Sequence, residues 1–308
     1  MKQVNTKKYN IDYFVQLAKK NKIQKTLIGV CTYDDCFLKA IAFSIKMQII
    51  KNVVLIGDLK KIQTCLKRTK IKITSDWRLL DCRDDVQAAD KAMQLVKKYK
   101  NVFLMKGVID TSVFLKALLN KEYHLKTNSL LSHCCLSYHP DYKNFYLISD
   151  AAIIIKPTLE QKVEIINNVV NLANNIGIKN KYIANLTAKE KVYDKMPNTE
   201  IAFQLQKIFQ KKKIKNCYVS GPLQIDLAIN SNSKKIKKNS DPVAGKANIL
   251  ICPDIESANI LTKGLVYLGG WSFAGIVLGA KIPVVLNSRS TNEKDLIVAI
   301  CLANLYKK

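Results

Sequence analysis

The chain has 308 residues, of which 48% are hydrophobic and 24% are charged, and it contains 11 glycines and 7 prolines. These values are typical of a globular protein and exclude a collagen-like or linker-dominated chain. No apolar run approaches the roughly 20 residues that span a bilayer, and segment 1–10 lacks the apolar core of a signal peptide. The nine cysteines form no regular framework, so we expect a reducing cytoplasmic location, with no disulfides and no membrane association.

The charge balance is strongly basic, with 50 Lys and Arg against 24 Asp and Glu, a net charge of +26. Such a balance is typical of proteins with nucleic acid or other anionic partners. However, only four of the basic residues are Arg, and the lysines are spread along the whole chain. Two interpretations therefore stay open: a dedicated nucleic-acid patch, and a lysine-rich surface that reflects the codon bias of a genome.

Short apolar, β-branched runs alternate with longer amphipathic segments, which predicts α/β layers around mainly parallel sheets. In chain order, the first half is predicted to contain a strand at 26–31, a helix at 34–47, strands at 52–57 and 101–106 separated by a helix at 84–99, and a helix at 111–120 that Asp110 caps. The second half is predicted to contain strands at 145–149, 182–186, 217–220, 248–252 and 283–286, and helices at 158–175, 198–210, 256–268 and 292–305.

So many strands favour two α/β domains over one sheet. Ser, His, Pro and Asp cluster at 129–141, which indicates a break there. We predict a first domain at 1–133 plus 289–308 and a second at 134–288. The Lys-rich stretch 211–246 is predicted to be a solvated loop around 230–235, and the glycine-rich stretch 269–275 to be flexible.

The strongest local signal for chemistry is Ser288-Arg289, directly after the apolar run 282–286. Ligands gather at strand ends in open α/β sheets, where a hydroxyl and a guanidinium fork at a helix start would bind an anion. The alternative is a surface ion pair of Arg289. Asp295, in the first turn of the following helix, would orient the Arg or accept a proton, or would only complement the helix dipole.

Other strand ends carry weaker signals. Gly221 lies at a strand-to-helix turn that cradles a phosphate or simply ends a strand. Asp254 and Asn259 follow the strand 248–252 and are placed for a ligand, although Asp254 also suits an N-cap. Gly275 belongs to a stretch where backbone could approach a ligand closely. The cysteines at 134 and 135, between His133 and His139, lack the spacing of a zinc site, so we expect no metal.

Several motifs occur in a familiar order: 221–229, 243–250, 253–263, 274–283 and Ser288-Arg289, preceded by 105–107 with Thr111, 129–133, 149–152, 159–162 and 196–199. Together they resemble the phosphate acetyl/butyryltransferase family, and most closely its phosphate butyryltransferase branch, from about residue 26 onward.

The resemblance implies two α/β/α domains of the isocitrate/isopropylmalate dehydrogenase-like kind, with an interdomain cleft and a homodimer or higher homo-oligomer. It implies reversible transfer of a short acyl group, butyryl for this branch, between coenzyme A and inorganic phosphate. Both are substrates, and no cofactor, metal or covalent acyl-enzyme is needed.

The resemblance also implies roles. Ser288 would orient the thiol or phosphate, Arg289 would neutralise developing charge, and Asp295 would be the base that deprotonates the thiol. The substrate-binding residues for coenzyme A and phosphate would be Lys106, Thr111, Lys126, Ser132, Asp150, Gly221, Asp254, Asn259, Lys263 and Gly275.

Alternatives from the same fold are a phosphate acetyltransferase, a phosphate acyltransferase acting on acyl carrier protein, and an isocitrate dehydrogenase-like oxidoreductase. The oxidoreductase needs an arginine cluster, which is hard to build with Arg289 as the only Arg after Arg83. The alternative from another class is a basic nucleic-acid-binding protein, for which we expect salt-sensitive binding. The diffuse lysines favour no specific nucleic-acid partner.

Overall fold

The computed structural model describes residues 9–142 and 144–307, so most of segment 1–10 lies outside the described residues. The chain separates into two compact units. The first unit comprises Asn10–Ser129 together with Ala274–Lys308, and the second comprises Leu130–Phe273.

The first unit begins with alternating helices and strands. These are α1 (Ile11–Lys19), β1 (Lys25–Val30), α2 (Asp35–Lys46), β2 (Ile50–Gly57), α3 (Leu59–Thr69), β3 (Trp77–Asp81), α4 (Asp85–Val96), β4 (Val102–Lys106) and α5 (Thr111–Leu119), followed by a short 3-10 helix (Lys121–Tyr123).

The second unit begins with an antiparallel hairpin and continues with alternating helices and strands. Its elements are β5 (Ser132–Tyr138), β6 (Phe145–Ser149), α6 (Leu159–Asn175), β7 (Lys181–Leu186), α7 (Pro197–Lys212), β8 (Cys217–Leu223), α8 (Ile225–Ile229), α9 (Ser231–Ile236), β9 (Ile249–Ile251) and α10 (Ile255–Tyr267). The chain then returns to the first unit through β10 (Ser272–Leu278), β11 (Val284–Val285) and α11 (Glu293–Leu305).

Parallel pairing dominates both units, as the strand–helix alternation predicts. In the first unit the strand order is β3-β2-β1-β4-β11-β10, and β10 is antiparallel to β11. In the second unit it is β5-β6-β9-β7-β8, and β5 is antiparallel to β6. The mixed α/β fold class is therefore confirmed.

The return to the first unit comes earlier in the chain than the sequence predicts. The units divide at 129/130 and 273/274, whereas the sequence places the boundaries at 133/134 and 288/289. The reason is strand pairing, because β11 hydrogen-bonds to β4 on one side and to β10 on the other. Residues 274–288 therefore belong with the helix that follows them.

Each of the strands β1, β2, β3 and β4 leads at its carboxyl end into a helix whose N-cap is an aspartate. The N-cap residues of α2, α3, α4 and α5 are Asp34, Asp58, Asp84 and Asp110, and each side chain accepts a first-turn backbone N–H. An N-cap carboxylate pairs one of the free N–H groups of a helix and complements its dipole. This repeated strand-to-Asp junction fixes where each helix starts.

The cores follow from the burial of the strands and of one face of most helices. In the first unit Leu27, Phe37 and Phe103 are fully buried, and in the second unit Ile165 and Leu205 are. Helix α11 differs, because every residue from Asp295 to Leu305 is buried, and it packs against α1 and α2. It is thus a central helix of the first unit rather than an amphipathic surface helix.

One predicted loop is wrong, and part of the stretch predicted to be flexible is a strand. The segment 230–235 forms most of helix α9, which Asn230 caps with hydrogen bonds from two backbone N–H groups. The last four residues of the stretch 269–275 form the start of strand β10, which pairs with β11 further along, at Ile276 and Val277. The sequence also left α1, α3, β3 and β5 unassigned.

Within the described residues, no helix combines the length and the apolar character needed to cross a bilayer.

Candidate active site

The carboxyl ends of three neighbouring parallel strands meet at one edge of the first unit. In the register of the sheet, Val30 of β1 lies beside Lys106 of β4, and Val285 of β11 lies beside Met105. Residues that directly follow these strands are therefore neighbours in space. They include Lys106 and the Ser288-Arg289 pair that the sequence singled out.

Lys106 ends β4 and is only 2% exposed, with its Nζ donating to the carbonyl oxygen of Gly107 at 3.1 Å. Burial lowers the pKa of Lys106, and the nearby positive charge of Arg289 lowers it further. Two cations are therefore found at the same strand-end edge, an arrangement that an anion would stabilise.

The loop before α11 is exposed from Ser288 to Ser290, between the buried residues Asn287 and Thr291. The Ser288 carbonyl accepts the N–H of Thr291 at 3.1 Å, and the Ser288 hydroxyl lies 3.0 Å from that of Ser290. The guanidinium Nη2 of Arg289 lies 4.0 Å from Oδ2 of Asp110. The alternative of a surface ion pair is therefore present in the structure, but its partner is itself at the strand-end edge.

Asp295 lies in the first turn of α11, as predicted, and is 2% exposed. Its Oδ2 accepts from Asn292 Nδ2 at 2.9 Å, while its backbone N–H donates to Asn292 Oδ1 at 3.0 Å. The reciprocal pair is a capping arrangement, so the helix-start role proposed for Asp295 is real. Its carboxylate is also held in one orientation at the base of the Ser288-Arg289 loop.

Asn287 is a residue of this edge that the sequence analysis missed. It is 4% exposed, and its Oδ1 accepts the backbone N–H of Gly275 at 2.8 Å, which ties β10 to the loop that carries Ser288. The sequence does contain a signal for it: Asn287 is a polar residue placed between a buried strand and the Ser288-Arg289 pair. Gly275 is thus brought to this edge through its backbone.

Thr111 and Lys126 are placed differently from each other. Thr111 is the first residue of α5, directly after the Asp110 cap and so close to Arg289. Lys126 is exposed, and within the described residues it has no hydrogen bond or ion pair. Its neighbour Thr127 donates to the Gly279 carbonyl at 2.7 Å, which anchors that loop to the segment after β10. The structure does not show a contact between Lys126 and the Lys106–Arg289 cluster.

The second unit also collects polar residues at one strand-end edge. Asp150 follows β6, Asp254 follows β9, and Ser132 begins β5, which runs antiparallel to β6. Asp150 accepts the backbone N–H groups of His133 at 3.0 Å, Ala152 at 2.9 Å and Ile153 at 2.9 Å. Burial nevertheless raises the pKa of Asp150 above its ordinary value.

The two other polar side chains of this edge, Ser132 and Asp254, already serve local structure. Ser132 Oγ accepts from Asn168 Nδ2 at 3.0 Å. Asp254 caps α10 in a capping box with Ser257. Burial opposes ionisation of Asp254, but the hydrogen bonds from Ser257 outweigh it and leave its pKa below the usual value. The N-cap interpretation of Asp254 is therefore correct, and the residue remains ionised.

Lys162 is a second residue that the sequence analysis did not select as a site residue. It lies on α6, is 4% exposed, and burial lowers its pKa to about 8, while the negative charge of Asp254 partly opposes this. A buried cation is thus held near the end of β9. Nothing in the local sequence predicts its burial, since a Lys on a helix is usually solvated.

Gly221 is required by packing. A Cβ at this position would lie 2.8 Å from the Cβ of Asn185 and 3.1 Å from that of Ala202, so only glycine lets β8 approach β7 and α7 this closely. Its N–H donates to Gln206 Oε1 at 3.2 Å.

On α10, Asn259 is half-buried and Lys263 is exposed, and their spacing of four residues places both on one helix face.

No group of three or more His, Cys, Asp or Glu in the described part of the chain is placed to hold a metal ion. His133 Nδ1 lies 3.7 Å from the Sγ of Cys135, and burial raises the pKa of that thiol. The Cys135 thiol is therefore a buried, protonated group rather than a nucleophile.

The chain is similar in sequence to known proteins over most of its length. Residues 81–304 match the family model described as phosphate acetyl/butaryl transferase. The chain is 35% identical to the phosphate acetyltransferase of Thermotoga maritima over 92% of this chain and 95% of that protein. It is 32% identical to the phosphate butyryltransferase of Clostridium acetobutylicum over 94% of this chain and 96% of that one.

Solved structures are also similar to this chain. The crystal structure of a branched-chain phosphotransacylase from Enterococcus faecalis matches with a TM-score of 0.79 and 28% identity, covering 92% of this chain and all of that one. A 4-hydroxythreonine-4-phosphate dehydrogenase from Klebsiella pneumoniae matches with a TM-score of 0.53 and 10% identity, which shows a shared fold. The chain belongs to the phosphate acetyl/butaryl transferase family and is a phosphate acyltransferase.

Proposed function

We propose that the protein transfers a short acyl group, butyryl in particular, reversibly between coenzyme A and inorganic phosphate. The single observation that carries this proposal is the exposed Ser288-Arg289 pair at the strand-end edge of the first unit, where the neighbouring strand β4 ends in the buried cation Lys106. Coenzyme A and phosphate enter as substrates. The second unit's residues Ser132, Asp150, Gly221, Asp254, Asn259 and Lys263 are proposed to contribute to substrate binding, as are Thr111, Lys126 and Gly275 of the first.

In the direction of acyl-CoA formation, the thiol of coenzyme A must first lose its proton, because the thiolate is the nucleophile. Asp295 is proposed to accept that proton. The thiolate attacks the carbonyl carbon of the acyl phosphate, the bond from that carbon to the phosphate oxygen breaks, and phosphate leaves with the electron pair. In the opposite direction a phosphate oxygen attacks the thioester, and the departing thiolate takes the proton back.

Arg289 is proposed to neutralise the charge that grows on the phosphate and on the tetrahedral oxyanion, with Lys106 adding a second positive charge. A guanidinium suits this role better than an ammonium, because its planar fork binds two oxygens at once. Ser288 is proposed to orient the thiol or the phosphate. Positioning of both substrates supplies much of the remaining acceleration. We also propose that the active form is a homodimer or higher homo-oligomer.

The test measures release of coenzyme A with a thiol reagent, using acetyl-, propionyl-, butyryl- and branched acyl-CoA, each with and without phosphate. We expect phosphate-dependent release that is fastest with butyryl-CoA. Release that is fastest with acetyl-CoA would assign the chain to acetyl transfer, and no phosphate-dependent release with any substrate would overturn the proposal.

Arg289→Ala should reduce kcat by on the order of 10², the loss typical when a group that stabilises transition-state charge is removed. Arg68→Ala is the matched control, because Arg68 is an exposed Arg of the same unit that forms an ion pair with Asp35. It should leave kcat unchanged. Near-wild-type activity of Arg289→Ala would remove Arg289 from the site.

A further inference from the structure

Asp110 divides its two carboxylate oxygens between two functions. Oδ1 caps α5, accepting the backbone N–H of Ser112 at 2.8 Å and its hydroxyl at 2.7 Å. Oδ2 faces the guanidinium of Arg289, with 4.0 Å between Oδ2 and Nη2. Because the cap fixes the carboxylate on the helix, the side chain cannot follow Arg289 if the guanidinium moves away.

The other N-cap aspartates of the first unit show what is particular about Asp110. Asp34, Asp58 and Asp84 cap α2, α3 and α4 in the same way. Among the described residues, Asp110 is the carboxylate within ion-pair distance of Arg289. Asp110 therefore makes a second contact besides its cap, and that contact is with a residue of the proposed anion site.

The charges around Asp110 favour its ionised form. Hydrogen bonds from Ser112 lower its pKa, and the positive charge of Arg289 lowers it further. Its negative charge in turn partly offsets the repulsion between Arg289 and Lys106. In the absence of an anionic substrate, Asp110 is the anion that these two cations face.

We propose that Asp110 is a positioning residue that competes with phosphate for Arg289: its carboxylate faces the guanidinium in the free enzyme and stays in place on the helix, while Arg289 turns from it to phosphate or acyl phosphate. This inference rests on the proposed function. Both ligands are anions, so each must draw Arg289 away from Asp110 and also approach a fixed negative charge. The enzyme therefore binds phosphate and acyl phosphate more weakly, and each is released faster, in either direction of the reaction.

The size of the effect is bounded by exposure. The side chains of Arg289 and Asp110 are 61% and 62% exposed, and ion pairs in such surroundings are weak because water and salt screen them. Removing the charge should therefore tighten phosphate binding by roughly two- to fivefold. The gain should shrink as ionic strength rises.

Asp110→Asn tests the proposal, because Asn is as good an N-cap as Asp but carries no charge. We expect the KM for phosphate to fall by roughly two- to fivefold, with the KM for acyl-CoA unchanged. Asp84→Asn is the matched control, since it removes the same charge from an exposed N-cap of the same unit, on the helix that follows β3. It should leave both KM values unchanged. An unchanged or higher KM for phosphate in Asp110→Asn would overturn the proposal.

Two readouts do not depend on catalysis. Calorimetric titration with inorganic phosphate should show a lower Kd for Asp110→Asn than for Asp84→Asn, even if no acyl substrate is turned over. Without phosphate, the arginine reagent phenylglyoxal should modify Arg289 faster in Asp110→Asn than in the wild type, as followed by mass spectrometry. Equal phosphate affinities, or equal rates of Arg289 modification, would overturn the competition between Asp110 and phosphate. Absence of turnover by the wild type would instead count against the proposed function.

Discussion

The side-chain oxygen of Asn287 accepts the backbone N–H of Gly275 at 2.8 Å, and this bond joins the loop before α11 to strand β10. Ser288 and Arg289 directly follow Asn287, so their position depends on a contact between segments twelve residues apart in the chain. The bond is buried, with Asn287 only 4% exposed, and a buried N–H left without a partner costs about 1–3 kcal/mol.

Asn287→Ala should therefore lower the free energy of unfolding by about 1–3 kcal/mol and reduce kcat roughly tenfold, because a small misplacement of reacting groups is costly. Urea denaturation and the phosphate-dependent assay measure the two effects. Asn120→Ala is the control, since Asn120 also accepts a backbone N–H, that of Glu122, but outside this loop. Full activity of Asn287→Ala would show that the bond does not position Ser288 and Arg289.

Asp295→Asn separates the base from the helix cap. An amide can keep the hydrogen bond with Asn292 but cannot accept the thiol proton, so kcat should fall by roughly 10²–10⁴ while the fold is retained. The measurement is kcat for acyl-CoA formation as a function of pH, together with the unfolding midpoint.

Glu293→Gln is the matched control for Asp295→Asn, because it removes a charge from the same first turn of α11. Both variants should lose a similar dipole interaction, about 0.3–1 kcal/mol, but only Asp295→Asn should lose activity. Equal activity of the two variants would assign Asp295 a capping role alone.

Gly107 permits the close approach of the loops after β1 and β4. A Cβ on Gly107 would lie 2.2 Å from the carbonyl oxygen of Cys31 and 2.8 Å from the Cα of Thr32, and both are backbone atoms that cannot rotate away. Gly107→Ala should destabilise the fold by about 1–3 kcal/mol and impair activity, since Lys106 is its neighbour.

Gly264 provides the contrast for Gly107. It lies within α10, and a Cβ there would meet no atom within 4 Å. Gly264→Ala should be neutral or stabilise the protein by up to about 1 kcal/mol, the helix propensity of Ala over Gly. Thermal unfolding of both variants measures the difference, and a tolerated Gly107→Ala would contradict the packing argument.

Lys162 makes stability depend on pH in a defined direction. Its pKa is lowered from 10.5 to about 8 in the folded protein, chiefly by burial. Between these two values the unfolded chain binds more protons than the folded chain, so stability should rise as the pH increases from about 8 to about 10.5. Lys25, whose pKa burial also lowers to about 8, contributes in the same window.

Lys162→Met should remove its part of this dependence, and urea denaturation at pH 7, 9 and 10 measures the change. The control is Lys211→Met, because Lys211 is an exposed lysine in the last turn of α7 and should leave the slope unchanged. An unaltered slope in Lys162→Met would mean that Lys162 titrates normally.

A helix or strand could be predicted from the sequence when nearby residues are enough to form it, and not when it depends on contacts with distant segments. The helix start at Asp110 was predicted because an N-cap and an apolar stripe are both written within one short segment. Strand β5 was not predicted, because its Ser, His and Cys residues are buried on both faces only through pairing with β6 and packing against α6. Strand β10 was missed for a different reason: Gly269 and Gly270 come just before it and Gly275 lies within it, and these glycines mask the strand signal.

Some features of the candidate site could likewise be predicted from the sequence, and others could not. Ser288 and Arg289 were selected because they follow an apolar run, and Asp295 because it lies in the first turn of the next helix; their catalytic roles stay predictions. The resemblance to the family, which rests on the order of motifs, is confirmed. The pairing of Arg289 with Asp110, the bond from Asn287 to Gly275 and the burial of Lys162 join segments far apart in sequence.

The sequence by itself determined the α/β fold class, the start of helices such as α5 and the kind of reaction, because strand–helix alternation, capping residues and the order of motifs can all be read along the chain. Only the tertiary structure decided which charges face each other and which polar groups lose their water. Those properties depend on the pairing order of the strands, which brings the ends of β1, β4 and β11 to one edge although they lie in distant parts of the chain.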